Sequence, residues 1–586
     1  MEHRREIDGL RAIAVVPVVL WHAGFAPFSG GFVGVDIFFV ISGFLITGII
    51  IHELDEGRFS LTRFYERRAR RILPALFVVV VACVPFAWFW MLPDMLENFG
   101  QSVVATLLFA NNLLLAKTSG YWDLEAEFKP LLHTWSLGVE EQYYVLFPLL
   151  LLILWRWGRK FAVVATAVIL LASFAMCEIG GHLSPQVNFY LTTSRAWEIL
   201  VGSICAFVGL RLSRTSNEAL SAAGLLLIAV SIFLYDKNVP FPSLFTVVPV
   251  VGTALVLLFA RQGTIACSVL SLPPLVGIGL ISYSVYLWHQ PLFAFARTYS
   301  LEPLSPAIMS ALVAATLIFA WLTWKFVETP FRDRSVTPIR LFAPALATAA
   351  TVLLSVGLGA HFSHGFPGRV FNSTDERGMF IAYNAAVFRF KEDDFPDNGR
   401  RNVLVMGDST GRDFVNIIEE ARRQRDYNLI YRDDYECPSK APPSANLTRL
   451  FDEADVFIIV YIAAPCAGQL VADIGAENAK KLIVVGPKHF GYNLNPFLRT
   501  PSDERAAARA KVLPSVVDEN NIQRATLPPG GKFVDLLHLV GRDGTTLPVF
   551  DENGHFLSQD RVHLTKPGAI YFAQRIFTDP ALAALH

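Results

Sequence analysis

Residues 30–47 read GGFVGVDIFFVISGFLIT, eighteen residues in which the single charge, Asp36, sits among aliphatic, aromatic and glycine positions. In hydrocarbon every backbone amide of such a run must be satisfied within the segment, which a helix does, and about 20 apolar residues cross a bilayer. Similar runs lie at about 10–25, 33–52, 73–92, 97–116, 138–155, 161–178, 196–210, 219–235, 244–260, 274–296, 306–324 and 341–361, twelve in all. The chain of 586 residues is 53% hydrophobic and 17% charged, too apolar for a soluble enzyme of this length and too long for one domain. Its net charge of −1 offers no basic field, so nucleic acid is not an expected partner. The basic N-terminus runs into its first apolar stretch without a small-residue cleavage site, so that stretch is expected to stay as a span.

Basic residues set the expected sidedness. Arg4 and Arg5 precede the first run, and Arg58, Arg63, Arg67, Arg68, Arg70 and Arg71 follow the second, so both stretches should be cytoplasmic. The later junctions at Arg156/Arg159/Lys160, Arg211/Arg214, Arg261 and Lys325/Arg332/Arg334/Arg340 would face outward if all twelve runs crossed. Dropping 97–116, which contains Gln101, Ser102, Asn111 and Asn112, returns each to the cytoplasm; dropping 138–155 repairs the parity equally. The expectation is eleven spans, with the N-terminus inside and a C-terminal domain outside.

Polar groups inside apolar runs are costly and mark functional candidates. Arg11 and His22 are eleven residues apart, which on a helix places them on nearly one face, about 16 Å apart. A histidine suits proton removal from a hydroxyl at neutral pH, whereas an interfacial arginine with a hydrogen-bonded structural histidine accounts for this pair equally simply. Asp36 and Ser42 in 30–47, and His133, Glu140 and Glu141 in HTWSLGVEEQYY (133–144), concentrate further polar groups. Arg195 and Glu198 in SRAWEILVG (194–202) have i, i+3 spacing, for which a salt bridge is the alternative to a functional role.

Taken in order, Arg11-x10-His22, GGFVGVDIFFVISGFLI, YERRARRILP (65–74), HTWSLGVEEQYY, SRAWEILVG, SYSVYLWHQP (282–291) and VETPFR (327–332) resemble the membrane acyltransferase-three family. The resemblance runs from about residue 6 to 333. It implies transfer of acetyl or other acyl groups from a coenzyme A thioester, acetyl-CoA above all, to envelope polysaccharides, lipids or small molecules. It makes His22 the catalytic base with Arg11 as companion, and sets Arg67, Arg68, Arg70 and Arg71 at the mouth that receives acyl-CoA phosphates. Positive-inside anchoring explains the same arginines. The resemblance leaves Asp36, Ser42, His133, Glu140, Glu141, Arg195 and Glu198 as support for the membrane site and His289 as a weaker candidate. No metal is expected.

After the last run, residues 363–397 read as a linker. Short apolar runs at 402–409, 428–432, 455–464, 481–487 and 532–537 then alternate with helical patterns near 412–425 and 467–480, predicting a mostly parallel sheet with helices on both faces. Gly407-Asp408-Ser409 ends the first strand, where such sheets carry their sites. Asp560 lies three residues before His563, a spacing that lets the carboxylate orient an imidazole that deprotonates Ser409. With LTKPGAIYFAQRI as a closing helix, this half resembles the SGNH hydrolase family, which implies a Ser409–His563–Asp560 triad with Ser409 contributing to the oxyanion hole. The family's oxyanion glycine and asparagine have no clear counterpart: APCAG (464–468) stands where Gly-x-Asn is expected, and Asn493 is a candidate by its place after a strand. Cys437 and Cys466 fit either a disulfide or two buried thiols.

The expected architecture is a polytopic α-helical membrane domain (1–335, ten spans), an additional transmembrane helix (336–362), the linker, and a soluble α/β/α SGNH-like, flavodoxin-like domain (398–586) in the periplasm of a bacterial inner-membrane protein. The expected function is O-acetyl transfer from cytoplasmic acyl-CoA to a lipid-linked or surface polysaccharide, first of all lipopolysaccharide O-antigen. Alternatives are acylation of exopolysaccharide or peptidoglycan, an acyl carrier coupled to a periplasmic carbohydrate esterase, and a non-catalytic glycan-binding subunit. The oligomeric state is not legible.

Overall fold

Long apolar stretches without interior turn residues become long helices. The computed structural model describes residues 3–118, 124–208, 212–370, 381–421, 427–435, 443–460, 466–558 and 560–585. They divide into two compact units, one of Met1–Phe89, Glu97–Arg297 and Leu304–Phe362, the other of Trp90–Leu96, Thr298–Pro303 and Ser363–His586.

Among the described residues, seven helices are long and apolar enough to cross a membrane: Gly31–Asp55, Leu61–Trp90, Thr134–Trp155, Arg159–Leu183, Arg214–Leu234, Pro306–Arg332 and Ile339–Phe362. Other expected spans are helices that are shorter or more polar. Helix α1 (Arg5–His22) has 18 residues, Thr192–Phe207 has 16 and Val247–Phe259 has 13, while Pro273–Tyr299 buries Ser282, Ser284, His289 and Gln290. The run 97–116 is not one helix. It breaks between Pro93–Leu107 and Asn111–Thr118 at Phe109, whose φ is +53°. The buried Asn111 amide donates to Leu131 O (2.9 Å) and Thr134 Oγ1 (2.8 Å), and Asn112 donates to Tyr190 O (3.1 Å). Both asparagines thus tie the short helix after the break to neighbouring segments.

Glycines set the closest packing. Helix α2 (Gly34–Asp55) meets Thr192–Phe207 so closely that a Cβ on Gly43 would lie 1.8 Å from Ile199 O, and one on Gly202 1.9 Å from Val40 O. Small residues at such crossings let backbones touch where apolar side chains gain nothing over lipid.

In the second unit, strands β1 (Arg401–Met406), β2 (Tyr427–Arg432), β3 (Val456–Val460), β4 (Leu482–Val485) and β6 (Lys532–Val534) form a five-stranded sheet in the order β2-β1-β3-β4-β6. Every pairing is parallel, as expected; Leu404, for example, faces Ile430 on one side and Phe457 on the other. Strands β5 (Arg509–Lys511) and β7 (Thr546–Pro548) pair antiparallel apart from it. Alternation along β1 serves two cores. Val403 and Val405 pack with Phe414, Ile417 and Phe572, while Leu404 and Met406 pack with Leu450, Phe451, Leu470 and Ile474. Helices therefore cover both faces, which is why the strands read as continuous apolar runs. Part of the stretch read as linker is folded: residues Ala386–Phe390 form a helical turn whose Val387 joins the first core.

Candidate functional site

Helix α1 continues through Pro17, so Arg11 and His22 do share one helix. Arg11 lines a cavity of about 250 Å³ with Ser42, Arg68, Arg71, His133 and Glu140, closed by Tyr144, Tyr283 and Tyr286. Glu140 accepts from Ser42 Oγ (2.9 Å) and Tyr144 OH (3.2 Å), which fixes its carboxylate within the wall. Four of the five arginines of helix α3 (Leu61–Trp90), Arg67, Arg68, Arg70 and Arg71, separate by face. Arg68 and Arg71, three residues apart, reach the cavity. Arg67 pairs with Glu53 at 2.9 Å, and buried Arg70 bonds Glu66 (2.8 Å), Phe331 O (3.1 Å) and Thr337 O (2.7 Å).

His22 is not in the wall but joins it through two other rings. Its centroid lies 5.1 Å from that of His289, which is 5.4 Å from that of His133. His22 Nδ1 lies 3.1 Å from Val18 O and His289 Nδ1 2.6 Å from Tyr286 O, so each Nδ1 carries the proton. Each Nε2 is then left as a buried lone pair with no hydrogen-bond partner among the described residues, the tautomer a general base requires. Arg297 donates to His22 O at 2.6 Å and holds the end of α1.

Asp36, Arg195 and Glu198 form a buried clamp instead. Arg195 reaches Asp36 Oδ1 at 2.9 Å and Glu198 Oε1 at 3.1 Å, with Phe39, Trp135, Phe189 and Phe241 around its guanidinium. This ties α2 to Thr192–Phe207. Glu141 is buried but outside the cavity wall.

In the second unit, Gly407 follows β1 at φ +154°, and a Cβ there would lie 3.0 Å from Val460 O, so the turn needs glycine. Asp408 caps the helix Ser409–Glu420 by accepting from Thr410 N at 2.8 Å, which puts Ser409 in the first turn at the β1/β3 switch point. Ser409 opens into a cavity of about 260 Å³ with Asp408, Thr410, Lys488, His489, Glu519 and Val562. His563 Nδ1 lies 2.5 Å from Asp560 Oδ2, while Asp560 Oδ1 accepts the backbone N–H of Val562 and of His563, each at 2.8 Å. Burial alone would raise the Asp560 carboxyl, but the His563 hydrogen bond and charge and the two amides bring it below its ordinary value. Burial would likewise lower His563, and the Asp560 hydrogen bond and charge, with Asp413 behind them, raise it instead.

Asn493 is turned to other work: its amide donates to Thr298 O (2.9 Å) and Ser300 O (2.8 Å), and it is not in the wall of the serine cavity. Cys466 is buried; Cys437 lies outside the described residues, as does Pro465 of APCAG.

Residues 4–325 match a family profile described as an acyltransferase domain. The chain belongs to this acyltransferase family. It is 34% identical over 351 residues to the peptidoglycan O-acetyltransferase OatA of Listeria monocytogenes, covering 56% of this chain and 55% of that one. It is 30% identical over 357 residues to the putative O-acetyltransferase SAS0844 of Staphylococcus aureus, covering 57% and 58%. It is 31% identical over 367 residues to the putative membrane-bound transacylase BcsY of Komagataeibacter xylinus, covering 62% and 92%. The chain thus spans a little over half the length of OatA and SAS0844. No solved structure matches.

The match to the acyltransferase family contains the whole arginine and histidine cavity and ends before the parallel sheet. Within it, the sequence reading passed over Tyr283, Tyr286 and Ser136. Tyr286 OH bonds Ser136 Oγ (2.7 Å) and His133 O (3.0 Å), joining two of the quoted strings. Glu328 of VETPFR accepts a short hydrogen bond from Ser284 and was equally unmarked. Each had a signal, a polar residue at helical spacing within a string already quoted for its histidine or glutamate.

Proposed function

We propose that this protein is a bacterial inner-membrane O-acetyltransferase that takes an acetyl group from cytoplasmic acetyl-CoA and transfers it to a hydroxyl of an envelope polysaccharide. The observation that carries the reading is the convergence of Arg11, Arg68 and Arg71 on one cavity whose wall includes His133, beside His289 and His22. Three guanidiniums suit the phosphates of a coenzyme A thioester, and a neutral imidazole suits proton removal from the attacking hydroxyl. The names of OatA and SAS0844 favour O-acetylation. The acceptor is a lipid-linked or surface polysaccharide, lipopolysaccharide O-antigen before exopolysaccharide or peptidoglycan.

Eleven crossings put the serine domain in the periplasm. The break of 97–116 into helices of 15 and 8 residues, beside the uninterrupted 22-residue Thr134–Trp155, supports dropping the former span. In the second unit, an SGNH-like domain, Ser409 accepts the acetyl group covalently, His563 moves its proton, and Asp560 orients His563.

The test is chemical analysis of O-acetyl groups on surface glycans from cells carrying His22→Ala or Ser409→Ala. Each variant, stably inserted, should lose acetylation. Normal acetylation in Ser409→Ala removes the covalent relay; normal acetylation in His22→Ala removes the membrane-site mechanism.

A further inference from the structure

When a serine attacks an acyl carbonyl, the carbonyl oxygen becomes an anion that must be met by donors already in place. Beside Ser409 itself, the family's glycine and asparagine donors have no clear counterpart in the sequence, and Asn493 is spent on Thr298 and Ser300. A buried cation stands on the same cavity. Lys488, three residues beyond β4, lines it together with Ser409, yet its side chain is only 4% exposed. Its Nζ lies 2.6 Å from Asp413 Oδ2, and the Asp413 side chain is 1% exposed.

The place of this pair is specific. Asp413 sits one helical turn after Ser409 on Ser409–Glu420, and its Oδ2 also accepts Leu564 N at 3.1 Å, the residue next to His563. The ion pair therefore stands where the serine helix, the loop after β4 and the histidine segment meet. Burying an ammonium and a carboxylate is costly, and the Leu564 amide needs only the Asp413 acceptor, so the Lys488 charge is not required to join the segments. An ammonium has three N–H groups, of which one carboxylate contact leaves others to serve the cavity.

We propose that Lys488 stabilises the oxyanion at Ser409, with Asp413 as the positioning residue that holds its ammonium. This deepens, and rests on, the reading of Ser409 as the acyl acceptor. As the Ser409 Oγ–carbon bond forms, His563 takes the hydroxyl proton and the carbonyl π pair moves to oxygen beside Lys488. Collapse re-forms the carbonyl and breaks the bond to the leaving group, which takes the proton from His563. The products are acyl-Ser409 and the protonated leaving group.

The full-length protein in detergent is treated with p-nitrophenyl acetate, and acetyl-Ser409 is followed by peptide mass spectrometry. Wild type acquires the label, and Lys488→Met acquires it about 100-fold or more slowly, the scale of losing one oxyanion donor. Lys488→Arg, which keeps the charge, stays within about 10-fold of wild type. The double variant Asp413→Asn/Lys488→Met removes both charges with little change in volume, so it also reports if the single variant fails to fold. It should remain as slow as Lys488→Met. Recovery of the double variant to near the wild-type rate, or wild-type labelling in a folded Lys488→Met, overturns the role of Lys488 alone. Absence of label on Ser409 in wild type overturns the acyl-serine reading and this inference with it.

Discussion

Among the guanidiniums of helix α3, two alternate pairs do different things. Positive-inside counting weighs Arg67, Arg68, Arg70 and Arg71 alike, because it registers charge and not face. The i, i+3 spacing of Arg68 and Arg71 was the legible hint; the partners that occupy Arg67 and Arg70, Glu53 on another helix and carbonyls more than 260 residues away, were not. Arg68→Ala and Arg71→Ala should each raise KM for acetyl-CoA by about 10-fold or more, as expected for a lost charge-assisted phosphate contact. Arg67→Ala should change it less than about 3-fold, since its half-exposed pair with Glu53 contributes little. Steady-state kinetics in proteoliposomes separates the two. In the other unit, the turn at Gly407-Asp408-Ser409 and the Asp560–His563 hydrogen bond were readable because each forms within a few residues, whereas Lys488 and Asp413 meet only through the fold. His563 acts as a base only when neutral, and its pKa is raised. Formation of acetyl-Ser409 should therefore increase as pH rises through that value. Asp560→Asn removes the carboxylate that favours the imidazolium, so the midpoint should move to lower pH while the maximal rate falls on the order of 10²–10⁴-fold. A midpoint that stays in place in Asp560→Asn would assign the titration to another group.

At the scale of elements, apolar run length located most helices, and β-branched runs between helical patterns located the strands of the parallel sheet. Where tertiary partners override local pattern, the reading fell short. The 97–116 run breaks at Phe109, with Asn111 and Asn112 just beyond it bonded to other segments, and β6 ends at Val534 because Asp535 caps the following helix by accepting from His538 N. Glycine in 30–47 signalled close approach without saying to what; at Gly43 the contact is with Ile199 of SRAWEILVG, and at Gly31 and Gly34 it is with Pro17 and Ala14 of helix α1. Gly43→Ala should destabilise the protein by about 1–3 kcal/mol, because its methyl group would press on the Ile199 carbonyl. Gly277→Ala, inside helix Pro273–Tyr299 with nothing within 4 Å of the added Cβ, should stabilise by up to about 1 kcal/mol. Thermal unfolding in detergent compares them directly, and equal melting temperatures would mean the two helices part without cost.

For the molecule as a whole, sidedness is open to direct measurement. With eleven crossings, a cysteine introduced at Asp397 should react with a membrane-impermeant maleimide in intact spheroplasts above the wild-type background, and one at Ser213 only after permeabilisation. Labelling at Ser213 from outside would overturn the eleven-crossing arrangement. The ties made by Arg70 bear on where this chain can be divided. The family match ends at residue 325, yet Arg70, 2% exposed, donates to carbonyls at Phe331 and Thr337 and lies 4.4 Å from the ring centroid of Phe342. A membrane half cut at 325 would take the Phe331 and Thr337 carbonyls and the Phe342 ring from that guanidinium and leave it Glu66; a cut at 335, just before the final helix, would still remove Thr337 O and Phe342. Helix Ile339–Phe362 therefore packs as part of the same compact unit as Arg70. Domain exchange between relatives should keep it with the arginine it covers.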